Sequence, residues 1–271
     1  MTELICPICA QALRQEEKRY ICTQGHCFDR AKSGYVNLLP PTASAKRHGD
    51  DKLMVRARTK FLNKGFYDPL AGAIAEAVAE RVPQDCSVLD AGCGEGMYTA
   101  KLLETLKYAG KQPQVIGIDI SKEALIAAAK RSKNLILAAA STAKLPLSDE
   151  SLDCVTNIFS PFLPAEFGRV LKKEGLLVRV VPLERHLWEL KQLIYDVPYL
   201  NPPLEEAAAG FRLTEKKQLR YQITLHGGEI NALFQMTPYY YKTGREDQQK
   251  AETAQELTTT LDFGIWLYEK E

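Results

Sequence analysis

Four soft side chains open the chain in two pairs. Cys6 and Cys9 form a Cys-x2-Cys knuckle, and Cys22 and His26 follow as a Cys-x3-His pair. Two thiolate-rich pairs at ribbon-like spacing suit tetrahedral zinc. Four protein ligands leave no position for a reacting water, so the ion expected is structural. So short a module holds too little apolar surface to fold without its metal. Cys27, next to His26, is an alternative fourth ligand. Read alone, the first pair would fit reduced surface thiols or a redox Cys-x-x-Cys.

The second cluster with chemistry in it is the run Leu-Asp90-Ala-Gly92-Cys-Gly94-Glu95-Gly96. Three glycines let a backbone turn sharply and approach a ligand closely. Their spacing is G-x-G-x-G and differs from the dinucleotide fingerprint G-x-G-x-x-G. An acid ahead of the first glycine fits a pyrophosphate poorly. It fits a ligand that carries an ammonium and no phosphate, namely S-adenosylmethionine. Asp119 stands further on, where a carboxylate accepts both hydroxyls of a ribose. Ser141 and Thr142 would border the adenine. Asn157 and Ser160 could hydrogen-bond a base at the acceptor end, and Phe159 could either stack on it or pack in the core.

These residues need elements to hold them. Short apolar runs at 86–90, 115–119, 135–139, 154–159 and 176–181 read as strands. Helical stretches at 97–107, 122–131, 165–171 and 187–195 alternate with them. Apolar strands alternating with helices predict a parallel sheet covered on both faces. Asp90, Asp119, Ser141 and Asn157 then fall at successive strand ends, where ligands of such sheets sit. The tail differs, with strand-like runs at 219–225 and 261–268 around a helix at 229–236. They fit an antiparallel edge. Tyr239, Tyr240 and Tyr241 could stack on bases or serve the structure.

The chain has 271 residues and a formal net charge of +1. No apolar run reaches the roughly 18 residues that a membrane helix needs, and the first residues show no signal peptide. A cytoplasmic protein is expected. The near-zero charge hides an asymmetry. Residues 1–64 hold 12 Lys and Arg against 6 Asp and Glu, whereas the rest holds 23 against 28. Lys46, Arg47, Lys52, Arg56, Arg58, Lys60 and Lys64 crowd one stretch. Arg56, Lys60 and Lys64 recur at i+4, so a helix would carry them on one face. That face is either simply solvated or turned to the phosphates of RNA.

Taken together, Cys6-Pro-x-Cys9, Cys22-x3-His26, the run 34–40 (GYVNLLP), Phe61-Leu62, Tyr67-x-Pro69-Leu70, the 90–96 loop, His186-Leu187-x-Glu189-Leu190 and Gln235-Met236-Thr237-Pro238 resemble the 23S ribosomal RNA (guanine-N1)-methyltransferases of the RlmA family. The resemblance spans almost the whole chain. It implies an α/β, Rossmann-like class I S-adenosylmethionine-dependent methyltransferase with an N-terminal zinc ribbon. It favours His26 over Cys27 as the fourth ligand of one structural zinc ion. It implies cofactor contacts at Tyr67, around Gly94 and Glu95, and at His186, although a lone His there would by itself be structural. Gly92 and Gly96 join that set through the glycine loop. It further implies binding of a 23S rRNA hairpin and a homodimer. The organisation expected is a zinc module over 1–39, a basic connector over 40–70 and a methyltransferase domain over 71–271. A small-molecule methyltransferase would leave the ribbon and the basic stretch without a purpose. A non-catalytic zinc RNA-binding protein would have no use for an intact Asp90, glycine loop and Asp119.

Overall fold

The computed structural model describes residues 3–40 and 51–271. The sequence reading at 46–48 lies outside them, as does most of the stretch after Pro40. Three short antiparallel strands, β1 (Leu13–Gln15), β2 (Arg19–Cys22) and β3 (Cys27–Asp29), build the front ribbon. A two-residue strand β4 (Val36–Asn37) follows, then helices α1 (Lys52–Leu62) and α2 (Asp68–Ala79). Asp51 caps α1 by accepting from the Met54 amide at 2.9 Å, a normal way to satisfy a free helix-terminal N–H.

The body then alternates as its hydrophobic pattern requires: β5 (Asp85–Ala91), α3 (Met97–Tyr108), β6 (Gln112–Asp119), α4 (Lys122–Arg131), β7 (Ile136–Ala139), β8 (Leu152–Ile158), α5 (Pro164–Val170), β9 (Leu171–Pro182) and α6 (Trp188–Ile194). The chain ends with β10 (Phe211–His226), α7 (Gly228–Gln235), α8 (Arg245–Thr253) and β11 (Glu256–Lys270). The main sheet has the order β10-β11-β9-β8-β5-β6-β7-β4. β4 through β9 pair in parallel, and β11 runs against β9 and β10. Val88, Leu89, Val155, Leu177 and Val178 are fully buried, as central strands covered on both faces must be. The charged edge strand β10, with Arg212, Lys216 and Lys217 along it, resists pairing with a second sheet.

The ribbon is not detached from the body. Val36 and Asn37 pair with Ala138 and Ala139 of β7, and the Ile5 amide donates to the Pro146 carbonyl at 2.9 Å. Leu4, Cys6, Leu13, Tyr20, Val36 and Leu38 share one hydrophobic core with Leu89, Ile116 and Leu147. The expected boundary at 39 thus falls just after a strand of the main sheet.

The strand order reverses at β5. The chain goes from β5 to β6 and β7 on one side, then returns to β8 and β9 on the other. The carboxyl ends of β5 and β8 therefore diverge over a crevice, where open α/β sheets bind ligands.

Candidate active site and metal centre

The crevice is a cleft of about 930 Å³, within the range that encloses small ligands. Tyr67, Asp90, Gly92, Gly94, Glu95, Asp119, Ser141, His186, Asn157, Phe159 and Ser160 all line it. Gly96 is absent from the lining. A Cβ built on it would lie 2.9 Å from the Cα of Ala128, so its bareness lets α4 pack on the loop.

Asp90 ends β5 and is buried to 1% exposure. It accepts from the hydroxyls of Thr99 at 2.5 Å and Thr156 at 3.1 Å. Burial lifts its carboxyl to about 6, against those two hydrogen bonds, which lower it. Asp119 ends β6. It accepts from the backbone amides of Gly94 at 2.8 Å and Ser121 at 2.7 Å, which fixes the glycine loop to the next strand. The carboxylate also lines the cleft, within which a diol could donate to it. Glu95 differs: its side chain pairs with Arg131, whose Nε lies 2.9 Å from Oε2. Arg131 also donates to Asn63 at 2.9 Å. Ser141 Oγ is used locally, accepting from the Ala143 amide at 3.2 Å.

His186 is placed by two contacts between its segment and β11. Its Nδ1 accepts from the Asp262 amide at 3.2 Å, and Glu189 accepts from the Thr260 amide at 2.7 Å. Its ring lies 4.6 Å from that of Phe263. Burial, with a smaller push from Lys191, drops its value to about 3. The imidazole is neutral, with its proton on Nε2. Tyr67, just before α2, packs edge-on against Phe61 and Phe263 at 5.5 and 5.2 Å.

At the acceptor end the turn after β8 is tightly held. Asn157 Nδ2 donates to Ser160 Oγ at 2.6 Å and to the Pro161 carbonyl at 3.1 Å, and Ser160 Oγ donates to the Ala91 carbonyl at 2.5 Å. This network holds Phe159 at a φ of 52°. A phenylalanine in that region is unusual and strained. The residue is 44% exposed, and its ring also lies 5.6 Å from that of the buried Phe263. Tyr98 packs edge-on to it at 6.3 Å. Among the described residues the Tyr98 hydroxyl is buried with no hydrogen-bond partner, a costly state that a polar ligand in the cleft would relieve.

In the ribbon, one ligand atom from each of Cys6, Cys9, Cys22 and His26 lies within 4.8 Å of all the others. Cys9 and Cys22 Sγ are 3.6 Å apart, and His26 Nδ1 is 3.6 and 3.4 Å from Cys6 and Cys22 Sγ. A tetrahedron with Zn–S of about 2.3 Å and Zn–N of about 2.05 Å requires edges of roughly 3.8 and 3.6 Å. The donor set fits zinc, and His26 is the fourth ligand. Cys27 is exposed and outside the cluster.

Outside the cleft, Arg56 and Lys60 are exposed on α1. Lys64 lies beyond the helix end and pairs with Glu229 at 3.1 Å, which corrects the single-face reading. Tyr239 reaches the cleft, whereas Tyr240 packs on Phe234 at 5.4 Å. Among the described residues no helix is long and apolar enough to cross a membrane.

An open parallel sheet, a glycine loop flanked by Asp90 and Asp119 at a switch point, and a Cys3His ribbon define a Rossmann-like S-adenosylmethionine-dependent methyltransferase carrying a zinc module. Comparison with known proteins agrees. Residues 4–47 match the model of the RlmA N-terminal zinc ribbon, and residues 88–175 match a methyltransferase domain. The chain is 38% identical over 245 residues to the 23S rRNA (guanine(748)-N(1))-methyltransferase of Streptomyces fradiae, covering 87% of this chain and 84% of that one. It is 35% identical over 270 residues to "Putative 23S rRNA (guanine-N(1)-)-methyltransferase YxjB" of Bacillus subtilis (strain 168), covering 96% and 94%. The chain belongs to the 23S rRNA (guanine-N1)-methyltransferase family. Among solved structures, the YcgJ protein of Bacillus subtilis shares the fold at 17% identity and a TM-score of 0.50, covering 74% of this chain and 97% of that one.

Proposed function

We propose that this protein methylates N1 of one guanine in a hairpin loop of 23S rRNA. The observation that carries this reading is the exposed, strained Phe159 at the mouth of a cofactor-type crevice. An aromatic face offered beside the methyl donor is what an unstacked base needs.

S-adenosylmethionine, when bound, supplies an electrophilic methyl on a sulfonium. Asp90 holds its ammonium, and Asp119 holds the ribose hydroxyls. The glycine loop at Gly92 and Gly94, with Tyr67, Ser141 and His186, walls its binding site. Guanine N1 lies on the Watson–Crick edge, so the base must leave its pair or stack before it enters. Phe159 stacks on it, and Asn157 and Ser160 hold that ring in place. The cleft carboxylates are already engaged, Asp90 by Thr99 and Thr156 and Glu95 by Arg131. The N1 proton leaves to solvent, and backbone groups of the 157–161 turn stabilise the deprotonated base.

The ribbon over 1–39 and the exposed Arg56 and Lys60 of the 40–70 connector position the RNA, while 71–271, with Tyr67 of the connector, holds the cofactor. The protein works in the cytoplasm as a homodimer, as the family resemblance implies.

The test is primer extension on 23S rRNA treated with protein and cofactor. An N1-methyl blocks pairing, so reverse transcription stops at one guanine. The position in the name of the Streptomyces fradiae relative is the first to inspect. No new stop, with cofactor binding demonstrated, refutes the reading.

A further inference from the structure

Arg58 stands in the basic stretch that the sequence assigns to the outside of the protein, yet it is turned inward. Arg56 and Lys60 on either side of it are exposed, whereas Arg58 is half-buried and lines the cleft. One of its amino groups donates to the Met236 carbonyl at 3.3 Å. The other lies 3.7 Å from where a Cβ on Gly94 would stand. The guanidinium thus lies against the glycine loop, above the one glycine whose amide is bound to Asp119. Its charge reaches the hydroxyls of Tyr67 and Tyr98, although burial has the larger and opposite effect on both.

We propose that Arg58 binds the carboxylate of the amino-acid end of S-adenosylmethionine. The assignment rests on the methyltransferase reading and on charge matching within the cleft. The cofactor carries a sulfonium, an ammonium and one carboxylate. Asp90 answers the cationic part, and both Asp90 and Asp119 repel the carboxylate. Among the described residues, the cations lining the cleft are Arg58 and Arg179. Arg179 is stacked 4.0 Å over the ring of Phe162, lies 5.2 Å from that of Trp266 and donates to the Glu205 carbonyl at 2.7 Å. It belongs to the far end of the cleft, on β9. Arg58 lies at the glycine loop, where a carboxylate enclosed by protein needs a charge-assisted donor. A guanidinium presents five N–H groups in a fork matched to a carboxylate, and the bond to Met236 helps to orient that fork. Tyr98 lines the same cleft, and its buried hydroxyl is a further donor.

The test is calorimetric binding of S-adenosylmethionine and of its decarboxylated analogue, to the unaltered protein and to Arg58→Gln and Arg58→Lys. The unaltered protein should prefer the carboxylated form by about 30-fold or more, the scale of a charge-assisted hydrogen bond. Arg58→Gln should lose most of that preference and bind the analogue as the unaltered protein does, which also reports an intact cleft. Arg58→Lys should retain part of the preference. Equal weakening of both ligands would mean a structural role and overturn the assignment. Weakened binding of an rRNA hairpin with cofactor affinity unchanged would place Arg58 on the RNA and overturn it equally. If the unaltered protein binds neither ligand, the methyltransferase reading itself fails.

Discussion

Gly92 and Ser160 are in contact through space that no side chain at 92 could share. A Cβ built on Gly92 would lie 2.5 Å from the Cβ of Ser160, and the φ of Gly92 is +85°. The cofactor loop after β5 and the acceptor turn after β8 therefore set each other's position. Gly92→Ala should destabilise the protein by about 2–4 kcal/mol, from the left-handed backbone and the overlap together. Adding Ser160→Gly removes the overlap and leaves the backbone cost, so the two changes should be non-additive. Denaturant unfolding of the four variants checks this. Equal costs of Gly92→Ala in both backgrounds would show the contact to be unimportant.

The metal centre gives a stoichiometric prediction. Replacing Cys6 and Cys9 with Ser should release about one zinc ion per chain, whereas Cys27→Ser should leave the content unchanged. Because the ribbon shares a core with Leu89, Ile116 and Leu147, the loss should also lower the melting temperature of the whole chain. Atomic emission and scanning calorimetry read both. Zinc retained without Cys6 and Cys9 would refute the ligand set.

Cofactor affinity should depend on pH through Asp90. Burial raises this carboxyl from 3.8 to about 6. A raised folded value means that the native state holds the proton more tightly than the unfolded chain does. Through this group, stability of the cofactor-free protein is highest below 3.8 and is lost as pH rises through about 6. An ammonium ligand needs the ionised form. Its affinity should fall by about tenfold per pH unit below 6 and be flat above. Asp90→Asn should bind weakly at every pH. A full slope persisting in that variant would assign the titration elsewhere.

Phe159→Ala should spare cofactor binding and weaken the RNA. Stacking on one base contributes about 1–3 kcal/mol, which corresponds to a rise of roughly 5- to 150-fold in KM for an rRNA hairpin. Phe159→Tyr should restore most of it. An equal loss of cofactor affinity would mean that the ring supports the cleft and does not touch the base.

Much of this was legible in the residues. The strands from β5 to β9 are apolar enough to be read directly, and the spacing of Asp90, Gly92, Gly94 and Asp119 implied their convergence. What stayed hidden depends on partners remote in sequence. Glu95 reads as a loop acid until Arg131 is brought beside it. Gly96 reads as a ligand glycine until Ala128 is packed on it. Arg58 reads as one more surface cation, because only the burial of Val55 and Ala57 beside it shows which way the helix faces. The strand β4 is two residues long, too short for any periodicity. The polar α8 carries one buried residue, Ala251, and has almost no apolar stripe to betray it.

The pairing of β4 with β7 has a consequence for synthesis. Val36 and Asn37 leave the ribosome about a hundred residues before Ala138 and Ala139, the strand they lie against. During that interval the apolar residues around Val36 have no sheet to join. A ribbon that closes on a metal ion early, from ligands all within the first 26 residues, would keep that segment compact and out of harmful company until its docking site emerges. On that order of emergence the metal-closed ribbon would precede its docking strand in every round of synthesis.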